Sequence, residues 1–176
     1  MSGKLVGIII LLCAAIAGGS LYYLQIYGFY DDVVATPGQD VMLVEQGSKA
    51  NLAIAYTEFQ AIDADSSPIR YRACFTTSLD PATLAQTHVV IPDAVPRNAP
   101  RWFDCFDAKA LADQLAAGTA TAFLGTKNIG FGVDRIVAIT DDGRGYAWHE
   151  LNACGNKAYD GTVVGEECPP RPEVAE

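Results

Sequence analysis

Four cysteines beyond the apolar N-terminal stretch, Cys74, Cys105, Cys154 and Cys168, carry the most readable chemistry in this chain. An even number of thiols past such a segment favours two disulfides, with three connectivities open. Order along the chain suggests Cys74–Cys105 and Cys154–Cys168, the second closing a short loop through Gly155, Gly161 and Gly165. Redox catalysis usually needs a Cys-x-x-Cys pair at a helix start, where the dipole lowers a thiol pKa. No two cysteines here are closer than 14 residues. Cys105 stands two residues before a helix-capping Asp107, but between the aromatic Phe103 and Phe106. Structural staples are the expectation.

Other reactive side chains do not converge. The two histidines, His88 and His149, form neither an HExxH motif nor a Cys/His cluster at zinc spacing, so no metal or other cofactor is expected. Ser66, Ser67 and Ser78 lack the glycines of a nucleophile elbow. Asp63 and Asp65 read as a turn before a strand and are weak as an acid–base pair. Gly125, Gly130 and Gly132 enclose Lys127, yet the Lys-Ser/Thr ending of a phosphate loop is missing.

Positioning these residues requires short elements. Strands are expected over 41–45, 52–59, 69–76 and 121–124, each bounded by turn-forming residues. In 69–76, Ile69, Tyr71, Ala73 and Phe75 alternate with Arg70, Arg72, Cys74 and Thr76, the pattern of a half-buried strand. Asp80-Pro81 starts a short helix over 82–86, and Asp107 caps a better one over 108–117 that Gly118 stops. Asp142-Gly143 suits a two-residue type I′ turn joining strands over 133–141 and 144–151. That register puts Ile139 opposite Tyr146, Val137 opposite Trp148, Arg135 opposite Glu150, and His149 across from Ile136. The result is an α+β fold, a mostly antiparallel sheet with one or two short helices, occupying residues 41–168. A polar linker over 31–40 precedes it, and an extended or disordered proline-rich tail over 169–176 follows.

Residues 5–30 carry no charge, and eleven of them are Leu, Ile or Val. At about −0.3 to −0.6 kcal/mol each, these outweigh the penalties of Ser20, Gln25 and the glycines, so a single transmembrane anchor is expected. Tyr22, Tyr23, Tyr27, Phe29 and Tyr30 belong to an interfacial belt at its far end. Lys4 before the span and Asp31 and Asp32 after it leave residues 1–4 in the cytoplasm and the rest across the membrane. The rival is a cleaved signal peptide, for which Ala15-Ile16-Ala17 offers a small-x-small site. Cleavage there would release an apolar N-terminus from Leu21 to Tyr27. Cys13 reads as a small residue in lipid, since Leu12 stands where a lipoprotein signal wants a small one. Ala14 with Gly18, and Ala15 with Gly19, form small-xxx-small pairs that let another helix approach closely. Beyond the span, 21 carboxylates outnumber 11 cations by ten. Such a surface repels nucleic acid and anionic headgroups and suits solubility or a basic partner.

The segment 61–75, the run Trp102-Phe103-Asp104-Cys105-Phe106-Asp107, and Asp142-Gly143-Arg144-Gly145-Tyr146-Ala147-Trp148-His149 resemble an alphaproteobacterial family of uncharacterised single-span proteins. The resemblance covers most of the chain. It implies a cell-envelope location with the domain facing the periplasm, and it brings no activity, cofactor or catalytic residue. Members are sometimes labelled histidine kinases. Four cytoplasmic residues leave no room for a nucleotide-binding domain, and His88 precedes the strand-like Val89-Val90-Ile91-Pro92.

Two functions follow as expectations. One is a non-catalytic accessory protein held in the bilayer by residues 5–30 and bound to another inner-membrane or periplasmic protein. The alternative is a periplasmic enzyme or small-ligand binder with a pocket near Arg70, Arg72, His149 and Glu150.

Overall fold

The structure is a computed structural model, and it describes residues 2–166 and 168–170. From residue 171 onward the expected tail lies outside the described residues. Helix α1 (Gly3–Tyr23) runs into a π turn at Leu24–Gly28. Together they are long and apolar enough to cross a membrane. Beyond them lies the expected α+β domain. Its main sheet contains β1 (Asp31–Asp32), β4 (Thr57–Asp63), β5 (Arg72–Thr76), β8 (Arg144–Leu151), β7 (Val133–Thr140) and β6 (Ala120–Gly130), in that spatial order. Every pairing in it is antiparallel. A second, two-stranded sheet pairs β2 (Met42–Val44) with β3 (Asn51–Ala53).

Both helices start as their sequences predict. Asp80 accepts hydrogen bonds from Ala82 N and Thr83 N at the head of α2 (Pro81–Leu84). Asp107 does the same for Lys109 N and Ala110 N at α3 (Ala108–Ala117), which Gly118 ends in the left-handed region at φ 74°.

The main sheet is covered on both faces. One layer gathers Cys74, Ala122, Leu124, Ile136, Ala138, Tyr146 and Trp148 against α3 and the loop carrying Phe103 and Phe106. The other gathers Ala73, Phe75, Phe123, Val137, Ile139 and Ala147 against Leu43 of the small sheet, Val41 just ahead of it and Leu84 of α2. This double cover corrects the half-buried reading of 69–76: Arg72, Ala73, Cys74 and Phe75 are all buried. Cys74 points into the first layer and Ala73 and Phe75 into the second, so both faces of β5 are covered along Arg72–Phe75.

The hairpin register also differs from expectation, by one residue. Ile136 faces Trp148, Val137 faces Ala147, Ala138 faces Tyr146 and Ile139 faces Gly145. The turn is the cause. Gly143 has φ 82°, and Asp142 is not in the positive-φ region that a type I′ turn demands of it. Gly143 N donates to Thr140 O at 2.9 Å, and Arg144 N donates to the Thr140 hydroxyl at 3.0 Å. The Asp142 carboxylate accepts from the Thr140 hydroxyl and, at 2.9 Å, from Arg144 Nε. The loop therefore holds three residues, with Gly143 in the left-handed position. A one-residue slip exchanges sheet faces. Val137 and Trp148 accordingly lie in opposite layers.

Three further segments depart from the sequence reading. The single strand expected over 52–59 splits into β3 and β4, with a bulge between Thr57 and Gln60 where Glu58 has φ 53°. Asp63 closes β4, and the turn follows it. Residues 31–40 are no free spacer, because Asp31 and Asp32 pair with Asp63 and Ile62 and Val33 N donates to Ala61 O.

Trp148 is 0 % exposed and packs edge-on against Phe106 at 6.3 Å. Trp148→Ala should lower stability by about 3–5 kcal/mol, since the cavity left by an indole cannot collapse fully. Urea unfolding of the variant measures this loss; a change below ~1 kcal/mol would contradict the packing described.

Candidate functional site

The cysteines pair within two separate regions. Cys74 of β5 is bonded to Cys105 in the loop ahead of α3, with Cα atoms 6.2 Å apart. Cys154 is bonded to Cys168 across 4.9 Å between Cα atoms. Cys13 alone is a free thiol among the described residues, exposed on α1 beside Ala14, Ala15, Gly18 and Gly19. The second bridge lies beside a polar cluster. Lys127 Nζ contacts Asp134 Oδ2 at 2.8 Å and Glu166 Oε2 at 2.6 Å, while Asn152 Nδ2 donates to Asp134 Oδ1 at 2.7 Å. Asn152 Oδ1 in turn accepts from Cys154 N at 2.9 Å. Lys127 is thus a fastening for the C-terminal loop. Gly125 and Gly130 sit in β6 and Gly132 in the β6–β7 turn, where nothing cradles a phosphate.

Arg70, Arg72, His149 and Glu150, the four residues nominated for a pocket, are dispersed, and each is already engaged. Arg70 Nη1 reaches Gln25 O at 3.3 Å. Glu150 Oε1 accepts from Trp148 Nε1 at 2.6 Å and Val95 N at 2.7 Å, and Asp134 takes the place opposite it. Arg72 donates to four main-chain carbonyls, those of Ile69, Tyr71, Arg97 and Asn98, at 2.6–3.0 Å. Burial without a carboxylate partner pushes its guanidinium down to about 10, and its role is to pin the 97–98 loop to β5.

His149 faces Arg135, not Ile136. Pro68 O, 2.8 Å from Nδ1, can only accept, so Nδ1 carries the proton. Nε2 then accepts from Arg135 Nε at 3.1 Å. The ring stacks on Tyr71 at 4.8 Å, and the Arg135 guanidinium lies over the same tyrosine at 4.0 Å. Arg135 Nη1 continues to Asp40 O at 3.2 Å, and the Asp40 carboxylate accepts from Tyr56 Oη and Thr36 N. Burial first, then the Arg135 charge, lowers His149 from 6.5 to about 4. Burial raises Tyr71 to about 12, and burial with Asp40 raises Tyr56 to about 12. Arg135, Tyr71, Asp40 and Tyr56 were not singled out in the sequence for a site. Their only signal is an arginine inside an apolar strand pattern.

One side of His149 borders a cavity of about 300 Å³ that Asp63, Asp65, Ser67 and Gly130 also line. Arg70, Arg72 and Glu150 do not line it. Burial raises the Asp63 carboxyl, while the Ala64 N–H bond opposes the shift. Among the described residues, no three His, Cys, Asp or Glu side chains are placed to hold a metal ion. With both ring nitrogens engaged, His149 has no lone pair to offer a substrate in this arrangement.

Two measurements follow. The folded protein keeps His149 neutral down to about pH 4, whereas the unfolded chain protonates it near 6.5. The stabilisation is therefore complete above pH 6.5 and is lost as pH falls toward 4. Between about pH 7 and pH 5 this group alone should remove roughly 2 kcal/mol. His149→Gln should flatten that part of the stability profile, and an unchanged slope would refute the assignment. Replacing Cys74 and Cys105 together by alanine should lower stability by about 2–5 kcal/mol, because the 31-residue separation is no longer closed in the unfolded chain. Alkylation and peptide mapping of the native protein should meanwhile find no fast-reacting thiol among the four cysteines.

No curated protein and no solved structure matches the chain. A family model does, along residues 41–169, which takes in every domain strand after β1, both helices of the domain and all four bonded cysteines. The chain belongs to that family, DUF6446, a family of unknown function.

Proposed function

We propose that this is a membrane-anchored accessory protein of a bacterial inner membrane, of the alphaproteobacterial type its motifs resemble. It holds a disulfide-bonded domain in the periplasm and binds another envelope protein without catalysing a reaction. The saturation of its titratable groups carries this reading. Arg72, Arg135, His149 and Glu150 are each committed to main-chain or neighbouring side-chain partners, leaving little free for a substrate. Lys4 ahead of the span and acidic residues after it favour a cytoplasmic N-terminus, and two disulfides favour an oxidising compartment for the domain.

The partner is reached in part through the membrane. Ala14, Ala15, Gly18 and Gly19 share one side of α1, and a methyl group added at Gly18 or Gly19 would meet open space beyond the helix's own backbone. Such a face admits a second helix to close van der Waals contact. Purification from detergent-solubilised membranes should recover a companion protein in constant ratio. Gly18→Leu with Gly19→Leu should cut that recovery by about tenfold, the equivalent of ~1.4 kcal/mol, while Ile9→Phe across the helix leaves it intact. Equal recovery with both variants would reject the helix face. Recovery of a small molecule with no protein would favour a ligand-binding domain.

A further inference from the structure

The 21 residues of α1 span about 31 Å, close to the ~30 Å hydrocarbon layer. The π turn at Leu24–Gly28 therefore falls at headgroup level when α1 spans a bilayer. The last carbonyls of a helix have no partner within it. Here two of them are met by the domain: Trp102 Nε1 donates to Ile26 O at 2.6 Å and Arg70 Nη1 to Gln25 O at 3.3 Å. Around these bonds Tyr27 stacks on Trp102 at 6.2 Å, and Tyr30 meets it edge-on at 5.9 Å. The Arg70 guanidinium lies 5.4 Å from the centre of the Tyr30 ring. Only Phe29 and Tyr30 separate the π turn from Asp31, which is already paired with β4. That is about 10 Å of chain, too little for the domain to stand away from the helix end.

We propose that the domain lies directly on the bilayer, with the phospholipid headgroups as the occupant of the face formed by Arg70, Trp102, Tyr27 and Tyr30. The inference rests on the anchor reading of α1. Indole and phenol rings partition to the headgroup layer because they join an apolar body to a polar tip. Arginine donates to phosphate oxygens in the same layer. Arg97 and Arg101, both exposed, extend from the loop that carries Trp102, whereas the domain as a whole is acidic. Asp31, Asp32 and Asp104 are exposed close to these residues in the chain, so the face carries both signs of charge. A zwitterionic headgroup, itself of both signs, fits it better than a strongly anionic one.

The chain has two tryptophans, so Trp148→Phe leaves Trp102 as the only indole. The full-length variant is reconstituted in phosphatidylcholine vesicles, with and without bromine on the acyl chains near the headgroup. Trp102 emission should fall by about half or more in the brominated vesicles, and aqueous iodide should quench it little. The difference between wild type and Trp102→Phe gives the same reading without altering the core. Full emission in brominated lipid, with free quenching by iodide in protein that floats with the vesicles, would overturn the docked face alone. Protein that fails to float would overturn the anchor, and the docked face with it.

Discussion

Gly145 sits where β8 crosses Phe75 of β5, and a methyl group added there would stand 2.0 Å from the phenyl ring. That close approach, with the three-residue turn next to it, fixes the position of β8 between its neighbours. Trp148 then points into the layer of Phe106 and Tyr146, and Ala147 into the layer of Val137 and Phe75. A sheet buried on both faces has no solvent side to receive a misplaced strand. A slip of one residue would drive an indole into a layer built around Ala147 and leave a hole opposite. Contacts between strands depend on this register, including the pairing of Arg135 with His149 and of Arg72 with Trp148.

Polar groups gather toward the β7–β8 end remote from the turn, where the apolar layers thin. Arg72 keeps its charge there and is solvated by carbonyl dipoles, while His149 is discharged by loss of its proton. Arg135 spreads its charge over a tyrosine ring and a main-chain oxygen. These arrangements answer the same difficulty, since a buried ionisable group must be paired, solvated by dipoles or discharged. The loops at 97–98 and 68 are held in place by the same bonds. The chemistry at this end serves architecture.

Local signals in the sequence translate well into structure. Asp107 and Gly118 delimit α3 to the residue because capping depends on side chains within a turn of the helix end. The fold class follows from strand spacing. Reading fails where distant segments decide the outcome. The alternation in 69–76 describes one face of a strand, and nothing local says that a second layer covers the other. Asp142-Gly143 permits two loop lengths, and the side chains of Thr140 and Arg144 select the longer. Arg135 and Tyr71 are far apart in the chain and meet only because β5 and β7 both pair with β8. Arg70, Arg72, His149 and Glu150 share no cavity, because polar side chains on or beside strands of one sheet can be turned to different faces and ends of it.

β8 is the last strand among the described residues but the third from one edge of the main sheet, with β5 and β7 on either side. Its partner Arg72 lies far upstream of Trp148, so the loop that β5 and β8 close is among the longest in the domain. A chain emerging from its N-terminus therefore cannot complete the pairing of β5 until residue 151 has arrived. Cys74 and Cys105 both emerge well before that point. Both thiols lie upstream of β7 and β8, so their bond needs neither of those strands to have been made. A link of that kind restricts the chain from Cys74 to Cys105 whether or not the later strands are in place.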